Sequence, residues 1–176
     1  MARAARLDLR LFQKELATRL ASKTSAQVES SRLGLACAGG HWLIRLADAS
    51  EVIAVPPIAP VPHTKPWFTG VANIRGNLYS IVDFARFIGS DVVASQAAVG
   101  QSRLVVFGPR AGDLRAGIVV QRVLGLRNVS ELAPIGADDA PRAWFGQRWM
   151  DASGSAWQEI DLARLALDPV FLQAGI

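Results

Sequence analysis

The stretch from 67 to 89 decides how the rest of the chain is read: Trp67-Phe68-Thr69-Gly70-Val71-Ala72-Asn73-Ile74-Arg75-Gly76-Asn77-Leu78-Tyr79-Ser80-Ile81-Val82-Asp83-Phe84-Ala85-Arg86-Phe87-Ile88-Gly89. Two short apolar runs meet at Arg75-Gly76-Asn77, where Gly and Asn accept the positive φ of a tight hairpin turn. The second run is continuous through Leu78, Tyr79, Ile81 and Val82 rather than alternating, so it reads as a strand buried on most sides. It ends at Asp83, and a short helical turn over 84–87 follows. An otherwise apolar hairpin thus carries one guanidinium, Arg75, and one carboxylate, Asp83, and each needs a partner if it is even partly buried.

Upstream, Leu33, Leu35 and Cys37 alternate with polar or small residues. Gly39-Gly40 turns the chain, and Trp42, Ile44 and Leu46 return with the same period of two. Asp48-Ala49-Ser50 leads into a third strand, Glu51 to Val55. Pro56, Pro57, Pro60, Pro62 and Pro66 then remove amide donors, so that segment is an extended edge or crossing. The first thirty residues differ: Asp8 caps a pattern in which Leu9, Phe12, Leu16 and Leu20 fall three or four apart, an amphipathic helix that packs on the body or docks on a partner.

Downstream, the order repeats. A connector over 90–101 precedes a hairpin of Leu104–Phe107 and Ala116–Val120, a strand 123–126, and a loop 128–142. A last hairpin, Trp144–Met150 and Ala156–Ile160, turns at Asp151-Ala152-Ser153-Gly154 and runs into a helical tail from Asp161. Gly76 and Gly154 lie 78 positions apart (154 − 76), as do Asp83 and Asp161 (161 − 83), while Val52 and Val123 lie 71 apart (123 − 52). Each copy reads hairpin, strand, loop, aromatic, hairpin, Asp, helical turn. The expected fold is all-β with short helices: two small five-stranded SH3-like barrels packed side by side, which leaves few long free edges. The expected division is a helical segment, 1–30, then a body, 31–173, with barrels at about 31–95 and 101–173.

A chain of 176 residues, 51% hydrophobic and only 19% charged, can bury a proper core and is not disordered. Its net charge of +4 invites a nucleic-acid reading. The basic residues are scattered among acids with no Arg/Lys-rich run beside an aromatic pair, which argues against one. Cys37 is alone, so no internal disulfide or thiolate metal cage forms, and a reducing compartment fits. Charges interrupt the N-terminus and prolines interrupt Val52 to Pro62, so neither a signal core nor a membrane span is expected. The protein is expected in the cytoplasm, with no direct membrane insertion.

The chain shows no phosphate loop, dinucleotide fingerprint, zinc-protease helix or nucleophile elbow. His41 and His63 lack an evident nucleophile or ligand companion. No catalytic residue, cofactor or metal is therefore expected; a small hydrolase would need a pocket that gathers His63 with a carboxylate. Asp83 and Asp161 admit two readings, a carboxylate pair or two helix caps, and their repetition favours caps. Trp67, Phe68, Trp144 and Phe145 open the final hairpin of each copy, either as core or, where exposed, as partner anchors. Gly70, Gly76 and Gly154 are expected to be structural.

Gly70-Val71-Ala72-Asn73-Ile74-Arg75-Gly76, followed by an apolar strand and Asp83-Phe84, resembles the signature hairpin of the CheW-like chemotaxis coupling proteins. Their pattern is Gly, aliphatic, any residue, Asn, aliphatic, Arg, Gly, then a strand ending in Asp-Leu. The chain departs from it at Ser80, where the family commonly has Pro, and at Ala85, where it often has Arg. The resemblance covers about Ser31 to Phe171 and implies the double-barrel fold and a non-enzymatic adaptor. The implied partners are a chemotaxis-type sensor histidine kinase and the cytoplasmic tip of a methyl-accepting chemoreceptor.

It also implies that Arg75 pairs with Glu51 and that this pair, with Asn73, belongs to the partner surface, either touching the partner directly or only supporting the hairpin; Trp67 and Phe68, if exposed, would add aromatic anchors there. The first barrel would meet the kinase, and a groove between barrels near Asn73 and Arg75 the receptor tip. The tail, Trp157 to Ala163 and Asp168 to Leu172, is similar to the twitching-motility branch, which serves the system controlling type IV pili. A nucleic-acid-binding double β-barrel is the alternative.

Overall fold

The computed structural model describes residues 30–90, 100–136 and 142–176. The helix expected over 8–22 lies outside them. In chain order the strands are β1 (Ser31–Cys37), β2 (Gly40–Arg45), β3 (Ala49–Ala54), β4 (Phe68–Ile74), β5 (Asn77–Asp83), β6 (Arg103–Phe107), β7 (Ala116–Val120), β8 (Arg122–Asn128), β9 (Ala133–Ile135), β10 (Phe145–Met150) and β11 (Ala156–Ile160). Three single-turn helices, α1 (Phe84–Phe87), α2 (Leu162–Leu165) and α3 (Pro169–Leu172), complete the frame. β9 falls inside a stretch read as loop, and its Pro134 is tolerated because β9 is the outermost strand of its sheet.

The strands form two mixed sheets, β8-β1-β2-β11-β10-β9 and β3-β6-β7-β5-β4. These are the two small barrels that the duplication implies, but their strands are not taken in chain order. The hairpin β1–β2 sits with the second copy's β8, β10 and β11, and β6–β7 sits with the first copy's β3, β4 and β5. The expected division at 31–95 and 101–173 therefore does not follow sheet membership. The cause is connection length. Only Leu46–Asp48 separate β2 from β3, and only Gln121 separates β7 from β8, so the chain bends from one sheet straight into the other.

The register shows the repeat in detail. β2 runs parallel to β11 with Leu43 beside Glu159, and β7 runs parallel to β5 with Gly117 beside Ile81. Val52 faces Val105 across β3–β6, and Leu126 faces Leu33 across β8–β1. Leu126 is thus the counterpart of Val52, three residues from the Val123 that spacing alone suggests.

A shared core holds the sheets together. Leu33, Leu35, Ile44, Val82, Val105, Ile118 and Ile160 meet Phe84, Phe87, Trp144, Leu162, Leu165 and Phe171, all buried. Phe84 and Phe87 come from the helical turn after the first Asp, and Leu162 and Leu165 from the turn after the second. Placing an Asp cap at the end of each final strand thus aims two apolar side chains inward. Phe171 stacks on Trp67 at 6.3 Å and on Phe107 at 5.7 Å, so the C-terminal turn plugs this core. A second, smaller core of Ala72, Ile74, Ile81, Leu104 and Val106 fills the five-stranded barrel.

Candidate partner-binding faces

The β4–β5 hairpin closes with Ile74 opposite Asn77, which leaves Arg75 and Gly76 as a two-residue loop with φ of 51° and 84°. Two positive φ values match the right-handed twist of the flanking strands. The sequence assigns the positive φ to Gly76 and Asn77; the structure assigns it to Arg75 and Gly76, and Asn77 begins β5. Asn73 supports the turn, its Oδ1 accepting from the Gly76 amide at 2.8 Å. Arg75 is thereby held out from the tip with its side chain 80% exposed, and its Nη2 donates to Glu51 Oε2 at 2.7 Å.

Glu51 lies on β3 and Arg75 beside β4, the two ends of the five-stranded sheet, so this ion pair spans the gap that a closed barrel must bridge. An exposed pair contributes about 0 to 1 kcal/mol. Its larger effect is to fix where the guanidinium sits.

Trp67 is not available to a partner. It is 8% exposed, edge-on to Phe87 and stacked on Phe171, because a large aromatic at the mouth of the hairpin is worth more inside the shared core than on the surface. Phe68 is half-buried beside it. Gly70, with φ 139°, lets the proline-rich crossing lie against β4; a Cβ there would stand 2.2 Å from the Ala59 carbonyl oxygen. Asp83 and Asp161 are caps, accepting from the Arg86 and Arg164 amides at 3.2 and 3.0 Å. Ala85, where the family often has Arg, is buried, and Arg86 instead pairs with Asp83 at 3.6 Å.

The second copy departs at its turn. Asp151 replaces the Asn, its carboxylate accepting from the amides of Ser153 and Ser155, the Ser153 hydroxyl and, at 2.9 Å, the Trp157 indole. These donors, the Ser153 hydroxyl first, hold its pKa well below the usual carboxylate range. Gly154, with φ 82°, closes the turn. The spacing marks this turn as equivalent but gives no sign of the aspartate's role.

The two barrels also differ in kind at equivalent strand positions. Through the registers, Leu104, Val119, Ile81 and Ile53 of the five-stranded barrel correspond to Arg32, Arg45, Glu159 and Arg127 of the six-stranded one. Glu159 is 4% exposed and accepts from Arg32 Nε at 2.8 Å and Arg45 Nε at 3.4 Å; Arg45 also reaches Asp161 at 3.4 Å. Nearby, Asp48 is fully buried, and Arg110 Nε stands 2.8 Å from its Oδ1, off line for a hydrogen bond. Burial pushes the Asp48 pKa up. An aliphatic side chain in one copy matched by a charged one in the other was legible as a lost repeat position, but only once the register is known.

The six-stranded sheet carries a groove of about 440 Å³ lined by Gly40, Trp42, Phe145, Arg148 and Gln158 among others. It sits beside the tight β1–β2 turn, where the other copy has the longer β6–β7 loop. Trp42 and Phe145 form its apolar floor and pack against the shared core. Asn73 and Arg75 do not line it. His63 sits in the proline-rich crossing, its carbonyl accepting from the Ile176 amide at 3.1 Å.

A duplicated double barrel with this hairpin matches one family model, the CheW-like domain, over residues 33–168. The chain belongs to the CheW-like domain family. Among curated CheW-like relatives it is 31% identical over 114 residues to protein PilI of Pseudomonas aeruginosa, covering 62% of this chain and 61% of PilI. It is 30% identical over 109 residues to protein FrzA of Myxococcus xanthus, covering 60% and 64%. It is 31% identical over 80 residues to the chemotaxis protein CheW of Thermotoga maritima, covering 46% and 49%.

The matches thus span from about half to two thirds of these relatives. In fold the chain resembles the crystal structure of the scaffolding protein TtCheW from Thermoanaerobacter tengcongensis, with a TM-score of 0.66 over 80% of this chain and 88% of that one, at 16% identity. Among the described residues no helix is long and apolar enough to cross a membrane.

Proposed function

We propose that the chain is a non-catalytic cytoplasmic scaffold that couples a chemoreceptor to a chemotaxis-type sensor histidine kinase. The observation that carries this reading is the pair of separate, chemically distinct faces on one rigid two-barrel body. On the five-stranded barrel the Arg75 guanidinium, steered by Glu51 and held out by the Asn73 turn, faces solvent and suits the kinase's regulatory domain. On the six-stranded barrel the groove floored by Trp42 and Phe145 suits an apolar helix tip of the receptor. Weak contacts at two faces become effective when the partners are linked in one assembly.

The similarity to PilI and FrzA supports the branch that controls type IV pilus twitching motility, and the chemotaxis and scaffolding names of the other two relatives support the adaptor role.

Capture of a kinase regulatory domain and of a receptor-tip fragment on the immobilised protein tests this. Arg75→Ala is expected to cut kinase capture at least tenfold with receptor capture retained, and Arg148→Glu to do the reverse, both with native melting. Full capture of both partners by both folded variants contradicts the assignment.

A further inference from the structure

The four outer edges of the two sheets, β8, β9, β3 and β4, differ in length and cover. The β4 edge is closed by the proline-rich crossing, Ala59 and Val71 exchanging amide hydrogen bonds of 2.8 and 2.9 Å. β9 is only three residues long and carries Pro134, which has no amide to donate, and on β3 the Glu51 side chain is engaged by Arg75 of the hairpin tip. β8 is a seven-residue edge that pairs with β1 on one side and, among the described residues, with nothing on the other.

This open edge has its own chemistry. Arg122 and Arg127 stand at its two ends, both exposed, and Leu126 between them is 59% exposed. Arg103 joins Arg122 around a concavity of about 220 Å³ at the strand's start. No carboxylate among the described residues pairs with Arg103, Arg122 or Arg127, although other arginines find one. Arg103 donates to the Gly100 and Ser102 carbonyls, and Arg127 lies over the Trp157 ring at 5.3 Å. The β3 positions equivalent to Leu126 and Arg127 are Val52 and Ile53, so the second copy is basic at Arg127 where the first is aliphatic.

We propose that the β8 edge is a further interaction surface that takes an extended, acidic segment of a protein partner. The segment adds as a seventh strand to the six-stranded sheet. Main-chain hydrogen bonds to the open edge supply the register, carboxylates meet Arg122 and Arg127, and an apolar side chain covers Leu126. From Arg122 to Arg127 the track is roughly 16 Å long at about 3.3 Å per residue, which suits a segment of five to seven residues. A single strand edge with three cations and an exposed leucine favours a peptide over nucleic acid, which calls for a wider basic footprint and stacking faces. The surface is separate from the Glu51–Arg75 face and does not depend on the kinase or receptor reading.

The test uses the full chain and a labelled peptide of alternating Glu and Val, seven residues long, followed by fluorescence anisotropy at low salt and by amide hydrogen exchange. Saturable binding is expected, with exchange slowed in 122–128 of the wild-type protein. It should weaken at least tenfold in Arg122→Glu/Arg127→Glu and stay unchanged in Arg75→Glu, each checked for native folding. An alternating Lys and Val peptide should not bind. The proposal is overturned by no binding, by binding that survives the charge reversal, by protection confined to other strands, or by a twelve-residue oligothymidylate that binds as tightly as the acidic peptide.

Discussion

Gly70 and Gly76 stand six residues apart in one hairpin, both at positive φ, yet alanine should affect them very differently. At Gly76, with φ 84°, no atom lies within 4 Å of the place a Cβ would take, so Gly76→Ala adds only the left-handed backbone cost, about 1 to 2 kcal/mol. At Gly70 the φ is 139°, where only glycine is at ease, and the added carbon would lie 2.2 Å from the Ala59 oxygen, 2.9 Å from its carbonyl carbon and 3.0 Å from Ile58 Cγ2.

The first two are backbone atoms and cannot rotate away. The crossing must lift, which breaks the pair of Ala59–Val71 hydrogen bonds. Backbone strain of about 1 to 3 kcal/mol and forced packing of about 1 to 3 kcal/mol together cost Gly70→Ala about 2 to 6 kcal/mol, a large share of the roughly 5 to 15 kcal/mol that holds a domain of this kind. Urea unfolding followed by tryptophan fluorescence measures both variants. Equal midpoints for the two alanines would refute the close approach of the crossing to β4.

Asp48 is buried with its carboxyl pKa above the usual value, so its contribution to stability is complete below the ordinary carboxylate pKa and is lost as pH rises through the higher folded value. Asp48→Asn should therefore gain on the wild type as pH rises from about 4, the usual carboxylate pKa, and equal midpoints at all pH values in urea would contradict this. Asp151 has the opposite sign: its stabilisation is present above the ordinary carboxylate pKa and fades as pH falls below it, so the deficit of Asp151→Asn should shrink on acidification. Burial pushes the Cys37 thiol up to about 12, so it should react with a thiol reagent only on unfolding, and fast labelling of the native protein at pH 8 would count against its place in the core.

Much of this was legible in the residues. Gly and Asp at a constant spacing of 78 mark two copies of one hairpin and its cap, because a turn and a helix start each demand a particular residue type wherever they recur. The Glu51–Arg75 pair followed from the family resemblance, and the structure places it at the barrel rim. Three things were hidden for physical reasons. The exchange of hairpins between sheets depends on two very short connections, Leu46–Asp48 and Gln121, which look like ordinary turns in a linear reading. Trp67 reads first as core and, where exposed, as an anchor, and its contact with Phe171, far along the chain, places it in the core. The ionic cluster of the six-stranded barrel needs the register that pairs Arg32 with Arg45 and sets Leu43 beside Glu159 before its three charges can be seen as neighbours.

The central claim is that one body holds two partners at once through different faces. Sedimentation of the protein mixed with a kinase regulatory domain and a receptor-tip fragment, singly and together, measures this directly. The account predicts a ternary species containing all three components, lost to a kinase-free binary complex in Arg75→Ala. Displacement of one partner by the other, with no ternary species at any ratio, would contradict it.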